Sequence, residues 1–204
     1  MKKTKNGEIM WNLLFETVTS QFHQGPDNAA RDRDMAAMIN KYKADPSKDC
    51  LQVGINHPET DKHAAHFTCL DKWDKGSYVD VRADLADTPF DFASFDFILC
   101  RAILEHVTDP FTCCKEMERI AKQGCELWLE VPFAQPFHPT KDWTYAKDYM
   151  LDTFGDESLP SDRNHGGDFW RFTPQGIHIM LREFKPIRFY IAQAGGIAFH
   201  GIRK

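Results

Sequence analysis

The 204-residue sequence predicts an α/β fold in which a mostly parallel sheet carries helices on both faces. Three observations lead to it. Short apolar runs alternate with stretches of helical periodicity from Cys50 onward. Two helix starts pair a capping residue with a proline, at Asp109-Pro110 and Thr173-Pro174. The composition, 42% hydrophobic and 27% charged, is that of a globular chain able to fill one core.

The elements follow in order. Trp11, Leu14, Phe15, Val18 and Phe22 recur at helical spacing and end before Gly25-Pro26. Met35, Met38, Ile39 and Tyr42 form a second stripe that stops before Pro46, with the polar segment 25–33 read as the linker between the two helices. Residues 1–47 are thus expected to form a helical amino-terminal cap, and 48–204 the main domain. Strands are expected at 50–54, 66–70, 78–81, 95–100 and 126–131. The helix opened by Asp109-Pro110 turns Cys113, Cys114, Met117, Ile120 and Ala121 inward, and Gly124 reads as its terminator. The helix after Thr173-Pro174 buries Ile177, Met180, Leu181 and Phe184. Strands near 187–191 and 197–202 close the sheet. Their link, Gln193-Ala194-Gly195-Gly196, has hairpin length, so the last strand should run antiparallel. The irregular stretch at about 134–170 follows the carboxyl end of a strand, where ligands sit in open α/β sheets, and reads as a lid or substrate wall.

Charge and composition narrow the partners. A net charge of −5 gives no reason to expect a phosphate backbone as partner, so no nucleic acid is expected. No apolar run approaches the ~20 residues of a membrane span, and no membrane association is expected. The basic start of the chain is not followed by a signal-type apolar stretch. The six cysteines form no CxxC pair and mostly sit in apolar segments, which reads as buried thiols in a reducing, cytoplasmic setting.

Several ordered motifs carry a family resemblance. They are Ala83-Asp84-Leu85-Ala86-Asp87-Thr88-Pro89-Phe90, then Ser94-Phe95-Asp96-Phe97-Ile98, then Leu104-Glu105-His106-Val107-Thr108-Asp109-Pro110 with Glu116 and Arg119. Val131-Pro132-Phe133, His138 and Asp168-Phe169-Trp170-Arg171-Phe172-Thr173-Pro174 complete the set. Over about residues 48–204 the chain resembles the class I S-adenosylmethionine-dependent methyltransferases, and more narrowly a bacterial type-11-like subgroup. The resemblance implies a Rossmann-like fold of seven strands, S-adenosylmethionine as cofactor, and a helical cap over its cleft. It also implies methyl transfer to a small-molecule acceptor, with a saccharide or related metabolite as the acceptor class.

The resemblance assigns roles residue by residue. Where the family reads Asp-x-Gly-x-Gly-x-Gly, this chain reads Gln52-Val53-Gly54-Ile55-Asn56-His57-Pro58. Gly54 remains, Asn56 tolerates the left-handed backbone better than most residues, and Pro58 suits the start of a helix. Asp71, 17 positions after Gly54, suits the ribose hydroxyls, because a carboxylate accepts two charge-assisted bonds; the alternative is a solvated loop aspartate. Asp84, with Leu85 beside it, takes the place of the acid that accepts from the adenine amino group, or else merely caps its turn. Arg101 and Ala102 are expected to line the methionine moiety, with Glu105 beside the cofactor.

His106 and His138 are the candidate catalytic residues, since imidazole titrates near neutrality and can serve as a general base. His106 can equally be structural. His138, Asp142, His165 and Asp168 match no closed metal motif, so no metal is expected. Trp143, Tyr145, Tyr149, Phe169 and Trp170 can stack on a planar substrate or form a satellite core, and Arg171 is expected to pair with Asp168. The rival to an enzyme is a non-catalytic methyltransferase-like binding or scaffolding protein, and a homodimer is an open assembly.

Overall fold

A computed structural model describes residues 28–54, 64–74, 76–135, 168–191 and 195–204. Helix α1, Asn28–Lys43, opens the described chain, followed by strands β1, Cys50–Val53, and β2, Phe67–Leu70. Strand β3, Phe95–Arg101, leads into a single 3-10 turn, Leu104–His106. Then come helix α2, Pro110–Ile120, strand β4, Ala121–Pro132, helix α3, Pro174–Met180, and strands β5, Phe184–Ile191, and β6, Gly196–Arg203. The expected helix over Trp11 to Phe22 lies outside the described residues.

The strands form one sheet in the order β2-β1-β3-β4-β6-β5. The first four run parallel, and β6 is antiparallel to both β4 and β5, as the hairpin-length link requires. Val53 pairs with Leu70 on one side and Cys100 on the other, so the carboxyl ends of β1, β2 and β3 stand level. Those ends carry Gly54, Asp71 and Ala102.

Alternation along the strands splits the core in two. Leu51, Val53, Ile98, Cys100, Leu127 and Leu129 face α2 and α3, whose Cys113, Cys114, Met117 and Ile177 complete that layer. Cys50, Phe67, Phe97, Leu99 and Trp128 face the other way and meet Met38, Ile39 and Tyr42 of α1. The Tyr42 and Phe97 rings stack with centroids 4.5 Å apart. α1 therefore covers the sheet face turned away from the α2 layer, rather than the cleft it was expected to cap. Its described residues also include 28–33, which fall in the segment read as a linker. Its first turns are polar because they face solvent, with Arg31 paired to Asp32.

Two further expectations are corrected. The described sheet has six strands, not seven: segment 78–81 makes only one parallel bridge, Val81 to Leu70. The Asp80 carboxylate accepts the Cys69 N–H at 2.8 Å and so takes a donor that a longer ladder would use. Helix α2 ends at Ile120, four residues before Gly124. The carbonyls of Arg119 and Ile120 accept from the Ala93 and Ser94 N–H groups, which stops the helix where β3 begins. Gly124, at φ 82°, sits instead in the irregular start of β4, where Ala121 to Glu126 oppose only Phe95 to Phe97.

The caps are as read. Asp109 accepts from Thr112 N–H at 3.0 Å with Pro110 in the first turn, and Thr173 Oγ1 accepts from Gly176 N–H at 3.1 Å. All six cysteines are buried free thiols, and burial pushes the Cys50 and Cys113 thiols up to about 12. Among the described residues no helix is long and apolar enough to cross a membrane.

One ion cluster ties α1 to the sheet. Glu126 on β4 lies 3.0 Å from His200 Nε2, accepts from the Tyr42 hydroxyl at 3.3 Å, and pairs with Lys41. The His200 contact most of all, then Lys41, outweighs burial and holds the Glu126 carboxyl at about 2, against an ordinary value of 4.5. A folded value below the unfolded one means stability that is present above about pH 4.5 and is lost as pH falls towards 2. Glu126→Gln is expected to flatten the acid limb of the stability curve in that window. Urea midpoints across the window for both proteins check this, and an equally steep limb in the variant would defeat it.

Candidate functional site

The level strand ends open into a solvent-accessible cleft. Gly54 and Asp71 form its floor, Asp84 and Leu85 one wall, and Ile103 and His106 the other.

The floor is built on Gly54. Its φ is 73°, and its N–H donates to the Leu70 carbonyl at 2.8 Å. A Cβ placed there would be strained at this φ and would lie 2.1 Å from Ile103 Cδ1, so that side chain would have to move. The buried Gln52 precedes it. Its amide nitrogen lies 3.4 Å from the Gly54 carbonyl, whereas its Oε1 meets no donor. The amide stands where the family motif opens with an aspartate, and it keeps an acceptor at the root of the loop without the charge.

Asp71 follows β2 directly. Its Oδ1 accepts from the Trp73 and Asp74 N–H groups at 2.7 and 2.8 Å, an arrangement that fixes the carboxylate at the strand end. Lys72 lies across the Trp73 ring, 4.5 Å from its centroid, and also reaches Asp84 Oδ2 at 3.0 Å. Asp84 Oδ1 accepts from Ala86 N–H at 2.9 Å. Asp84 thus caps its turn, and it also lines the cleft.

The far wall sorts the remaining candidates. Ile103 and His106 border the cleft, but Arg101, Ala102 and Glu105 do not. Arg101 Nε donates to Glu130 Oε2 at 2.9 Å. Ala102, at φ 51°, and Glu105 line a second cavity behind the wall. Glu105 is 1% exposed, and burial foremost pushes its carboxyl up to about 7, with Asp168 adding to the rise and Arg171 opposing it. Asn56 and His138, together with Asp142 and His165, lie outside the described residues.

Asp168 and Arg171 pair as expected, through two contacts of 2.5 and 2.7 Å. The segment around them docks on the turn after β3. Phe169 N–H donates to the Glu105 carbonyl at 2.7 Å and Trp170 Nε1 to the Val107 carbonyl at 2.8 Å. Trp170 therefore acts as packing beneath the wall. Among the described residues no group of three or more His, Cys, Asp or Glu could hold a metal.

Sequence reasoning missed two site-building residues. Lys72, which bridges the two acids of the cleft, adjoins Asp71 in the chain but gave no periodic signal. Glu116 was noted only as part of a motif. Its Oε1 accepts from both the N–H and the hydroxyl of Thr88, at 3.0 and 2.5 Å, and Arg119 links it to the Phe90 carbonyl. It anchors the 83–90 wall to α2.

A parallel sheet in this order with a glycine-floored cleft at its carboxyl ends is the Rossmann-like methyltransferase fold. Residues 41–129 match the model of a family described as a methyltransferase domain. Over that segment the chain is similar to the methyltransferase-domain family, and its fold is that of the S-adenosylmethionine-dependent methyltransferases. Among solved structures, the YcgJ protein of Bacillus subtilis is similar at 14% identity and a TM-score of 0.54, over 85% of this chain and 99% of that one. The [4+2]-cyclase SpnF is similar at 12% identity and a TM-score of 0.52, over 83% and 80%. A SAM-dependent methyltransferase of Methanosarcina mazei aligns at 19% identity and a TM-score of 0.49, over 81% and 96%. No curated protein matches the chain by sequence.

Proposed function

We propose that this protein transfers a methyl group from S-adenosylmethionine to a small-molecule acceptor, with a saccharide or related metabolite as the acceptor class that the motifs imply. When bound, the cofactor supplies a methyl group activated on a sulfonium. The residues present fit it. Gly54 leaves room at the floor, and Asp71 stands at the strand end to accept from two hydroxyls. Asp84 and Leu85 suit the base, Ile103 gives an apolar side to the cleft, and His106 is the imidazole on that wall able to take a proton. The observation that carries the reading is the glycine floor set level with Asp71, because an acid and a side-chain-free backbone at adjacent strand ends suit a nucleoside.

Saturating S-adenosylhomocysteine at 100 times its dissociation constant is expected to stabilise the protein by ~2.7 kcal/mol, read as a shift of the thermal melt. A melt unmoved at millimolar ligand would remove the enzyme reading. Asp71→Ala is expected to weaken binding by about 1.5–3 kcal/mol, the scale of hydrogen bonds to a charged group. Calorimetric titration of both proteins measures it, and equal affinities would take the ribose role from Asp71.

A non-catalytic binding or scaffolding role is the second reading. It is favoured by the altered glycine loop and by Asp84, whose two oxygens already serve Ala86 and Lys72. The likeness to a cyclase adds that the fold hosts other chemistry. Binding of S-adenosylhomocysteine without turnover of any acceptor would favour this role.

A further inference from the structure

Lys72 occupies the two features of the cleft that a flat ring with an amino group would use. Its Nζ lies 4.5 Å from the centroid of the Trp73 ring and 3.0 Å from Asp84 Oδ2. All three residues line the cleft, and Trp73 keeps 36% of its surface exposed. One ammonium therefore covers an aromatic face and a carboxylate oxygen at once, supplying a cation to the first and a donor to the second. An aromatic amine offers a replacement for each contact. Its ring can stack on the indole, and its N–H can donate to the carboxylate.

The cleft does not need this lysine to hold its shape. Asp71 N–H donates to the Val81 carbonyl at 3.1 Å and Leu70 bridges to Val81, which fastens the end of β2 to the segment leading into Asp84. Asp84 Oδ1 holds its own turn through Ala86 N–H, and Glu116 ties Thr88 to α2. On the other side, Asp71 Oδ1 holds the backbone of Trp73 and Asp74. Lys72 can thus swing away while the backbone on both sides stays in place. The ion pair is also easily opened. The Lys72 and Asp84 side chains are 33% and 38% exposed, and a pair this open to water is weak and screened by salt.

We propose that Lys72 is an autoinhibitory plug in this end of the cleft, displaced when a planar, amino-bearing ligand stacks on Trp73 and donates to Asp84. The choice of an adenine ring as that ligand rests on the methyl-transfer reading above, whereas the plug rests on the contacts of Lys72 itself. A ligand entering here binds against the release of the lysine, so its apparent affinity falls with the fraction of molecules in which the plug is closed.

The test uses the full chain and adenosine, a neutral probe whose attraction to the cleft does not change merely because a positive charge is removed. Adenosine and S-adenosylhomocysteine are titrated calorimetrically into the wild-type protein, Lys72→Met and Lys72→Arg, at about 0.05 and 0.5 M salt. Methionine keeps most of the stem without the charge, and arginine keeps the charge. Lys72→Met is expected to bind adenosine on the order of tenfold tighter than the wild type, the combined scale of an exposed ion pair and a cation–π contact. Raising the salt should tighten wild-type binding about twofold, because screening loosens the plug, and should leave the methionine variant unchanged. Lys72→Arg should restore both the weaker binding and its salt dependence, which a side chain that serves only as packing does not do. Adenosine affinity that is unchanged or lower in Lys72→Met overturns the plug, whatever S-adenosylhomocysteine does. If S-adenosylhomocysteine binds none of the three proteins while adenosine still binds tighter to Lys72→Met, the methyl-transfer reading falls and the plug stands. If neither ligand binds any of them, both fall.

Discussion

Gly54→Ala is expected to destabilise the fold by about 2–4 kcal/mol and to abolish the thermal shift produced by S-adenosylhomocysteine. Two costs combine. The backbone at φ 73° penalises any residue with a Cβ by roughly 1–2 kcal/mol, and no side-chain movement relieves that. The new methyl group also meets Ile103 Cδ1 at 2.1 Å. Ile103 can yield only by rotating, and its neighbours are the packed core on one side and the cleft on the other. The double variant Gly54→Ala/Ile103→Ala separates the two: it should recover part of the stability, while the strained floor still binds poorly. A single variant that kept the full ligand-induced shift would show that the floor of the cleft does not hold the cofactor.

Glu116→Ala should cost about 3 kcal/mol although Glu116 lies outside the cleft. Its carboxylate satisfies the Thr88 N–H and hydroxyl, and it orients Arg119, whose Nη2 donates to the Phe90 carbonyl at 2.7 Å. Burial is the largest influence on this carboxyl and pushes it up, but the bonds from Arg119 and Thr88 together bring it below its ordinary value. Its stabilising effect is therefore present above the usual carboxylate range and fades as the pH drops below it. Removing the side chain leaves Thr88 donors buried without a partner and frees the wall that carries Asp84. Urea unfolding gives the stability loss, and hydrogen exchange over 83–90 should rise in the variant. A loss below about 0.5 kcal/mol with unchanged exchange would mean that the wall stands by other contacts.

Much of the fold was legible because its signals are local. Short apolar runs marked the strands at 50–54, 95–100 and 126–131, and a capping side chain ahead of a proline marked α2 and α3. Asp168 and Arg171 lie three positions apart, close enough for their pairing to be read directly. The misreadings share a cause, which is a distant partner. Gly124 looked like a helix terminator, yet α2 stops earlier because Ala93 and Ser94 take its last carbonyls. Segment 78–81 has strand composition, but the Asp80 side chain claims the donor that would have extended the pairing.

In the cleft, the positions of Gly54 and Asp71 followed from sequence alone, because each sits directly at the end of a strand and strand ends are set by local pattern. The fate of residues 101–106 did not. Sequence order places Arg101, Ala102, Ile103, Glu105 and His106 side by side, with no sign of which cavity each would face. That choice was made by the left-handed turn at Ala102, by its bond to Glu130, and by the docking of Phe169 and Trp170, over 60 residues further along the chain, on the same turn. Periodicity is a property of neighbouring residues, whereas the side of a wall that a side chain occupies depends on long-range bonds that hold the backbone in one of several locally acceptable shapes.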